Sequence, residues 1–218
     1  MRVPLPDDVE ARGLAALLAP DILALLDEAP DTVAAETEEL HAADLADIAE
    51  TMEREDVARL LKVLPPARAA DVLEYLEEEL RTELLEEMTP REAAALVTEM
   101  TPDDRADALE ELEEESIDEI LSEIPAEARE ETEKLLAYDP DSAGGLMTTE
   151  FVSVPEDMTV EDALAGVRRI ARGGRREAMY NIYATAADGR VKGVMSLREL
   201  LAAPEGAKVS DVAWGEIV

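Results

Sequence analysis

From Leu40 to Leu136 every twelfth residue is a large apolar one: Leu40, Met52, Leu64, Leu76, Met88, Met100, Leu112, Ile124 and Leu136. So long an unbroken period predicts short elements stacked in series, each burying one face against its neighbours. A second apolar position falls nine residues after most of these, at Leu61, Leu73, Leu85, Val97, Leu109 and Leu121. The residue before it is usually apolar too: Leu60, Val72, Leu84, Leu96 and Ile120. Offsets of 8, 9 and 12 predict three apolar residues on one helical face in each unit. Met52, Met88 and Met100 therefore read as packing.

Turn and cap signals recur at the joints. "TPRE" at Thr89 to Glu92 has an N-cap Thr, Pro at the first helical position and Glu at the third, which is a capping box. "TPDD" at Thr101 to Asp104 repeats the design with Asp in the first turn, and "LPP" from Leu64 and "IPAE" from Ile124 break the chain similarly. The expectation is a right-angled or superhelical array of helices of about eight to ten residues. No such helix persists alone, so the array stands as a unit. Residues 1–38 add helical runs at Leu14 to Leu18 and Ile22 to Leu26, with Pro20 and Pro30 as expected breaks.

After Gly145 the period changes. "FVSVP" (Phe151 to Pro155) reads as a strand, and Thr159 caps a helix with Val160, Ala163, Leu164, Val167 and Ile170 inward and Gly173 at its end. "NIYATAADGRVKGVMSL" gives two strands around Asp188-Gly189, a hairpin signal. A helix from Ser196 to Ala202 completes a β-α-β-β-α order. The fold class expected is α plus α/β, in three parts: an acidic helical-repeat domain over 1–137, a connection over 138–150, and a small α/β domain over 151–218.

Charge separates the two blocks. Residues 1–137 carry 41 acidic and 11 basic side chains, a balance of −30, while 138–218 carry 13 and 9. Such a surface repels nucleic acid; its natural partners are divalent cations or concentrated salt. Of the 20 basic residues 16 are Arg and 4 are Lys, and many Asp and Glu with scarce Lys also fit salt adaptation. With no Cys, there is no disulfide, thiolate metal site or Cys nucleophile. No run of 18 apolar residues predicts a membrane span, and the start lacks the apolar stretch of a secretory signal. No Ser-His-Asp set, phosphate loop or His/Cys metal spacing occurs, so an enzyme is not expected.

The strand-helix-hairpin-helix order, with "MTTEFVSVPEDMTVEDAL" and "GRVKGVMSLRELL", resembles a cystathionine-β-synthase-type (CBS) domain. Such domains pair through their sheets, so "VSDVAWGEIV" is expected to begin a second copy. The acidic array, the joint "YDPDSAGGLMTTEFVSV" and the CBS-like block, together with "HAADLADIAE", "PPARAADVLEYL" and "TPDDRADALEEL", resemble the cytosolic portion of the MgtE family of magnesium transporters and channels. The resemblance runs from about Leu40 to Val218. It implies a Mg²⁺ sensor on the cytoplasmic face of the cell membrane, gating the pore of a homodimer. It also implies a transmembrane pore domain and a second CBS domain as partners. By the same resemblance the sensing acids match Asp71 in "RAADVL" and Asp103, Asp104 and Asp107 in "TPDDRADAL". Read from the residues alone, Asp103 and Asp104 in a first helical turn equally serve as caps.

CBS pairs that bind adenine nucleotides use a Ser/Thr and an Asp three residues apart. Here Ser196 is present and Glu199 replaces the Asp, so nucleotide binding is not expected from this chain. Arg168, Arg169, Arg172, Arg175 and Arg176 form a basic helix end, read as solvated or as docking on an acidic surface. The single histidine, His41, reads as structural. Similar arrays also resemble the middle part of a flagellar motor switch protein, which leaves a protein–protein scaffold as the alternative.

Asp139, Pro140, Gly144 and Gly145 in "YDPDSAGGLMT" are expected to be a hinge. Pro140 disfavours the helical region for the residue before it, and the glycines allow backbone angles that other residues resist.

Overall fold

The computed structural model describes residues 6–172 and 181–215. The chain divides into two compact units, residues 1–147 and 148–218.

The first unit begins with α1 (Pro6–Glu28), a 3₁₀ turn (Pro30–Thr32) and α2 (Val33–Glu36). Eight short helices follow: α3 (Ala42–Ala49), α4 (Arg54–Val63), α5 (Pro66–Tyr75), α6 (Glu78–Glu87), α7 (Pro90–Val97), α8 (Pro102–Glu110), α9 (Glu114–Glu123) and α10 (Ala126–Leu136). Packing runs mainly to the second neighbour: α1 on α3, α3 on α5, α5 on α7 and α7 on α9. The other row takes α4 on α6, α6 on α8 and α8 on α10. The result is a two-row array of short helices.

The residues at offset nine (Leu61, Leu73, Leu85, Val97, Leu109, Leu121) are all buried in the continuous core of this unit. At four joints the residue at offset twelve is not on the helical face the spacing predicts, while Leu136 stays within α10. Leu64, Leu76, Met88 and Ile124 are C-caps in extended conformation, with ψ of 151°, 148°, 153° and 145°. Pro65 follows Leu64 and Pro125 follows Ile124, each as the N-cap of the next helix, so Leu64 and Ile124 are kept out of the helical region. The apolar C-cap then tucks into the core as it turns the backbone into the next helix.

Pro20 also differs from expectation. It lies inside α1 and does not end it. Its ring removes one backbone donor, a cost of about 3 kcal/mol in a helix interior. Ala15, Ala19, Ile22 and Leu26, on either side of it, are all buried, and that shared burial holds the helix together.

Thr89 caps α7 in a complete capping box with Glu92, and Thr101 caps α8 by accepting from the Asp104 amide at 3.4 Å. His41 is the N-cap of α3: its Nδ1 accepts from the Ala43 amide at 3.2 Å, and its ring meets Tyr75 edge-on at 5.8 Å.

The second unit holds β1 (Val152–Pro155), α11 (Val160–Arg172), β2 (Asn181–Thr185), β3 (Val191–Ser196), α12 (Leu197–Ala202) and α13 (Val209–Val212). The strand order is β1-β2-β3, with β1 parallel and β3 antiparallel to β2. The order β-α-β-β-α is thus present. Gly189 takes the positive φ of 82° that the β2–β3 loop needs. Gly173, Arg175 and Arg176 lie outside the described residues.

Side chains alternate across this sheet. Val152, Ile182 and Met195 face the core, which α11 closes with Val160, Ala163 and Val167. The other face carries Ser153, Tyr183 and Val194 in register, extended by Trp214, whose amide and carbonyl bond to those of Val194 at 2.9 and 3.1 Å. Phe151 lies edge-on to Tyr183 at 6.0 Å, and Trp214 is 68% exposed. Residues 207–214, which include the described start of "VSDVAWGEIV", bond into this unit: Val160 donates to Ala207 O, Val209 to Met158 O and Ser210 to Glu156 O, each at 2.9 Å.

Candidate functional site

Three of the four acids singled out by the resemblance lie on α8. Pro102 sets the first turn, and the Thr101 hydroxyl donates to Asp103 at 3.1 Å and to Asp104 at 2.5 Å. Both carboxylates are half-buried there, and the N-cap of α8 is Thr101 and neither Asp. Asp107 follows one turn later, where partial burial pushes its carboxyl above the ordinary value. Asp104 and Asp103 push it further, and the guanidinium of Arg81 pulls the other way. Asp71 is exposed on α5, a helix that packs on α3, α4 and α7. The structure thus gathers Asp103, Asp104 and Asp107 and sets Asp71 on another helix.

Sequence reasoning missed that the α8 cluster continues. Glu110 is also pushed up, first by burial and then by Asp107, Asp139, Glu111 and Asp141. The Asp-Pro-Asp turn therefore adds its charges to the α8 group within the first unit. Only the spacing of α8 acids was visible in the sequence; the return of the chain at 139–141 was not.

That turn is tightly wound. The Ser142 amide donates to Asp139 O at 2.9 Å, Leu146 to Ser142 O at 3.0 Å, Gly145 to the Ser142 hydroxyl at 3.2 Å and Asp141 to Asp139 Oδ1 at 3.1 Å. Neither Gly144 nor Gly145 has a positive φ. The glycines are needed for a different reason than freedom of backbone angle. A Cβ on Gly144 would stand 2.3 Å from the Tyr138 ring, and one on Gly145 would stand 2.5 Å from the Asp139 carbonyl oxygen.

Two arginines hold the elements that carry these acids. Arg105 is only 4% exposed, and its guanidinium donates to Val97 O (2.7 Å), Met100 O (3.0 Å), Thr132 Oγ1 (3.1 Å), Ala128 O (3.2 Å) and Thr98 O (3.4 Å). It thereby satisfies carbonyls left open where α7 ends. Arg81 on α6 forms a two-pronged pair with Glu111, the C-cap of α8; its Nε is 3.1 Å from Glu111 Oε2, and a second guanidinium nitrogen meets Oε1. Side-chain exposures are 15% and 16%.

Asp and Glu supply the hard oxygen donors that Mg²⁺ takes, with several waters retained. Among the described residues no group of three or more His, Cys, Asp or Glu converges to hold a metal ion. The carboxylates are thus the kind of donor that Mg²⁺ takes, without a complete ligand set among the described residues. A separate open groove is lined by Asp47, Glu50, Thr51, Glu77, Glu79, Leu80 and Glu83. In the second unit Ser196 and Glu199 are joined in a capping box: the Ser196 amide donates to Glu199 at 2.8 Å, its hydroxyl at 2.9 Å, and the Glu199 amide returns a bond at 3.2 Å. Arg168, Arg169 and Arg172 are exposed on α11. No described helix is long and apolar enough to cross a membrane.

An acidic two-row helical array followed by a CBS-type unit defines a regulatory module of two parts. Residues 40–141 match the family model of the MgtE intracellular N domain. The chain is 44% identical over 90 residues to the magnesium transporter MgtE of Thermus thermophilus and 32% identical over 87 residues to that of Enterococcus faecalis. These alignments take in 41% and 40% of this chain, and about a fifth of each relative, 20% and 19%. A crystal structure of the cytosolic domain of the Mg²⁺ channel MgtE in complex with ATP superposes with a TM-score of 0.81 and 34% identity, over 93% of this chain and 82% of that one. The soluble part of a magnesium transporter gives a TM-score of 0.80 and 26% identity, over 97% of this chain and 80% of that one. The chain belongs to the MgtE family, as a counterpart of its cytosolic region.

Proposed function

We propose that the chain is a Mg²⁺-sensing regulatory region of a magnesium transporter or channel, which favours a closed pore when Mg²⁺ is bound. The observation that carries this reading is the gathering of Asp103, Asp104 and Asp107 on α8, with the Asp107 carboxyl raised first by burial and then by the charges of Asp104 and Asp103. Carboxylates held together repel until a cation neutralises them. Mg²⁺ therefore binds best to the arrangement that gathers them and shifts the population toward it.

Asp103, Asp104 and Asp107 would supply the array's share of the ligands, and Asp71 would serve a separate position on α5. The remaining ligands come from a facing partner, in keeping with the partial character of the α8 group. The half-buried Tyr183 and Val194, flanked by the exposed Trp214 and Phe151, support a second CBS domain as the cover of that sheet. A homodimer and a transmembrane pore domain complete the assembly, with this region on the cytoplasmic face. The joint over 138–150, with Asp139, Pro140, Gly144 and Gly145, is the hinge about which the array responds.

Limited proteolysis in MgCl₂, against NaCl of equal ionic strength, tests the reading. Protection specific to millimolar Mg²⁺, lost when Asp71, Asp103, Asp104 and Asp107 are all changed to Ala, is expected. Equal protection in NaCl, in the chain and in a transporter that carries it, would overturn sensing and leave a helical scaffold.

A further inference from the structure

The loop between β2 and β3 holds the one Asp-Gly pair of the chain, Asp188-Gly189. The single asparagine, Asn181, is followed by the bulky Ile182. A backbone amide reaches a side-chain carboxyl most easily where Gly follows Asp, because no Cβ shields the nitrogen. Here the loop brings the two groups together. The Arg190 amide donates to Asp188 Oδ1 at 3.2 Å, the bond an Asp side chain makes to the backbone two residues on. That bond closes a short ring containing both Asp188 Cγ and the Gly189 nitrogen, so electrophile and nucleophile share one small loop. The site is also open. The Asp188 side chain is 58% exposed, and a Cβ at Gly189 would meet nothing within 4 Å. Two contacts restrain it: the Gly189 amide donates to Ala186 O at 2.9 Å, and Arg190 Nε stands 3.3 Å from Asp188 Oδ2. Both lie in an exposed loop, where such contacts open most readily.

We infer that Asp188 is a site of spontaneous isoaspartate formation, a covalent modification that stands independently of the Mg²⁺-sensing reading. The Gly189 nitrogen bonds to Asp188 Cγ, and its proton leaves with the carboxyl OH as one water, giving a five-membered succinimide. Water then opens the ring at one of its two C–N bonds. Opening at Cγ restores aspartate. Opening at the backbone carbonyl carbon leaves the chain running through Cβ and Cγ, with the former α-carboxyl as the side group. Nothing is oxidised or reduced, and the water lost is regained. The product lengthens the backbone by one carbon inside the turn. Gly189 at a φ of 82° and the Ala186 amide, which donates to Arg190 O at 2.9 Å, then lose their fit. This pair adjoins the register shift between Ala184 and Thr185, so the change unseats the end of the β2–β3 ladder.

The test is incubation of the folded chain for several weeks at physiological temperature and neutral pH, with circular dichroism to confirm folding. Peptide mapping with electron-transfer fragmentation locates isoaspartate, and a protein isoaspartyl carboxyl methyltransferase labels the freed α-carboxyl. Isoaspartate is expected at position 188 ahead of every other aspartate. Asp188→Glu, whose ring would have six members, is expected to lose the signal. Arg190→Gln, which frees the oxygen that leaves as water, is expected to raise the rate by roughly 2- to 5-fold, the range open to one exposed ion pair. In the aged fraction the amides of Ala186 and Gly189 should lose protection in hydrogen exchange. No isoaspartate at 188 in the folded chain, while a free peptide of the sequence AADGRV acquires it, overturns the inference. So does a methyltransferase signal that Asp188→Glu leaves in place. Should that variant fail to fold, the fragment masses of the wild type decide alone, and isoaspartate found only at other positions overturns the assignment.

Discussion

The guanidinium of Arg105 donates to the hydroxyl of Thr132 at 3.1 Å, and Thr132 passes its own proton to Ala128 O at 2.8 Å. That link fastens α8, which carries the acid cluster, to α10, the last helix before the Asp-Pro-Asp turn. Burial pushes the Arg105 guanidinium below its ordinary value, with Glu131 the opposing charge. The buried charge is held by five backbone and hydroxyl oxygens, so no carboxylate need be buried with it.

Arg105→Met is therefore expected to destabilise the first unit by about 3 kcal/mol or more, since it orphans several buried acceptors. Thr132→Val is expected to cost about 1 kcal/mol. Urea denaturation of both single variants and the double variant checks this. The double should cost less than the sum, because the two residues share one interaction.

The glycines divide into two kinds. Gly145→Ala is expected to destabilise by about 1–3 kcal/mol, because the new Cβ meets backbone atoms of Asp139 and Pro140 that cannot turn aside. Gly144→Ala presses on the Tyr138 ring and is expected to cost less. Gly166, inside α11, has open space where a Cβ would stand, with nothing within 4 Å. Gly166→Ala is expected to stabilise the second unit by about 0.5–1 kcal/mol. Thermal melts of the three variants separate a close approach from mere flexibility.

Acidification is expected to act with opposite signs on two sets of carboxyls. Asp107 and Glu110 are raised in the folded chain. The folded state therefore holds more protons between the unfolded and folded values, and their contribution to stability falls as pH rises through that window. Glu92, Glu161 and Glu199 are lowered, chiefly by the backbone amides of Thr89, Gly206 and Ser196. Their contribution is present above the unfolded value and is lost as pH falls through the folded one. Hydrogen exchange should show the α8 region gaining protection on mild acidification, while the starts of α7 and α12 lose it on stronger acidification. A loss at α8 on mild acidification would contradict the assignment.

Asp107→Asn is expected to raise thermal stability in low-salt buffer, since it removes a charge repelled by Asp103, Asp104 and Glu111. The gain should shrink in high salt, which screens exposed charges. A melt series over NaCl concentration reads both effects.

Much of this was legible in the sequence because the repeat repeats its errors as well as its rules. Residues at offsets eight and nine showed their burial through helical spacing, and Thr89 and Thr101 announced two helix starts. The twelfth residue was misplaced because periodicity reports burial and says nothing of backbone angle; Leu64 is buried as a C-cap. Pro20 misled because its local cost was visible and the packing that offsets it was not. Arg105 and Arg81 left no signal: an arginine among 54 acids reads as solvated until its partners, distant in the chain, are brought beside it. The same holds for Asp139 and Asp141, which reach Glu110 only after α9 and α10 have turned the chain around.

The packing of each helix on its second neighbour has a consequence for how such arrays can change in length. Loss or gain of one twelve-residue unit would exchange the two rows beyond that point, setting every later helix against faces shaped for the other row. A change of two units would keep the rows in step. Length variation in this architecture should therefore come in pairs of helices, with the acid-bearing α8 keeping its side of the array.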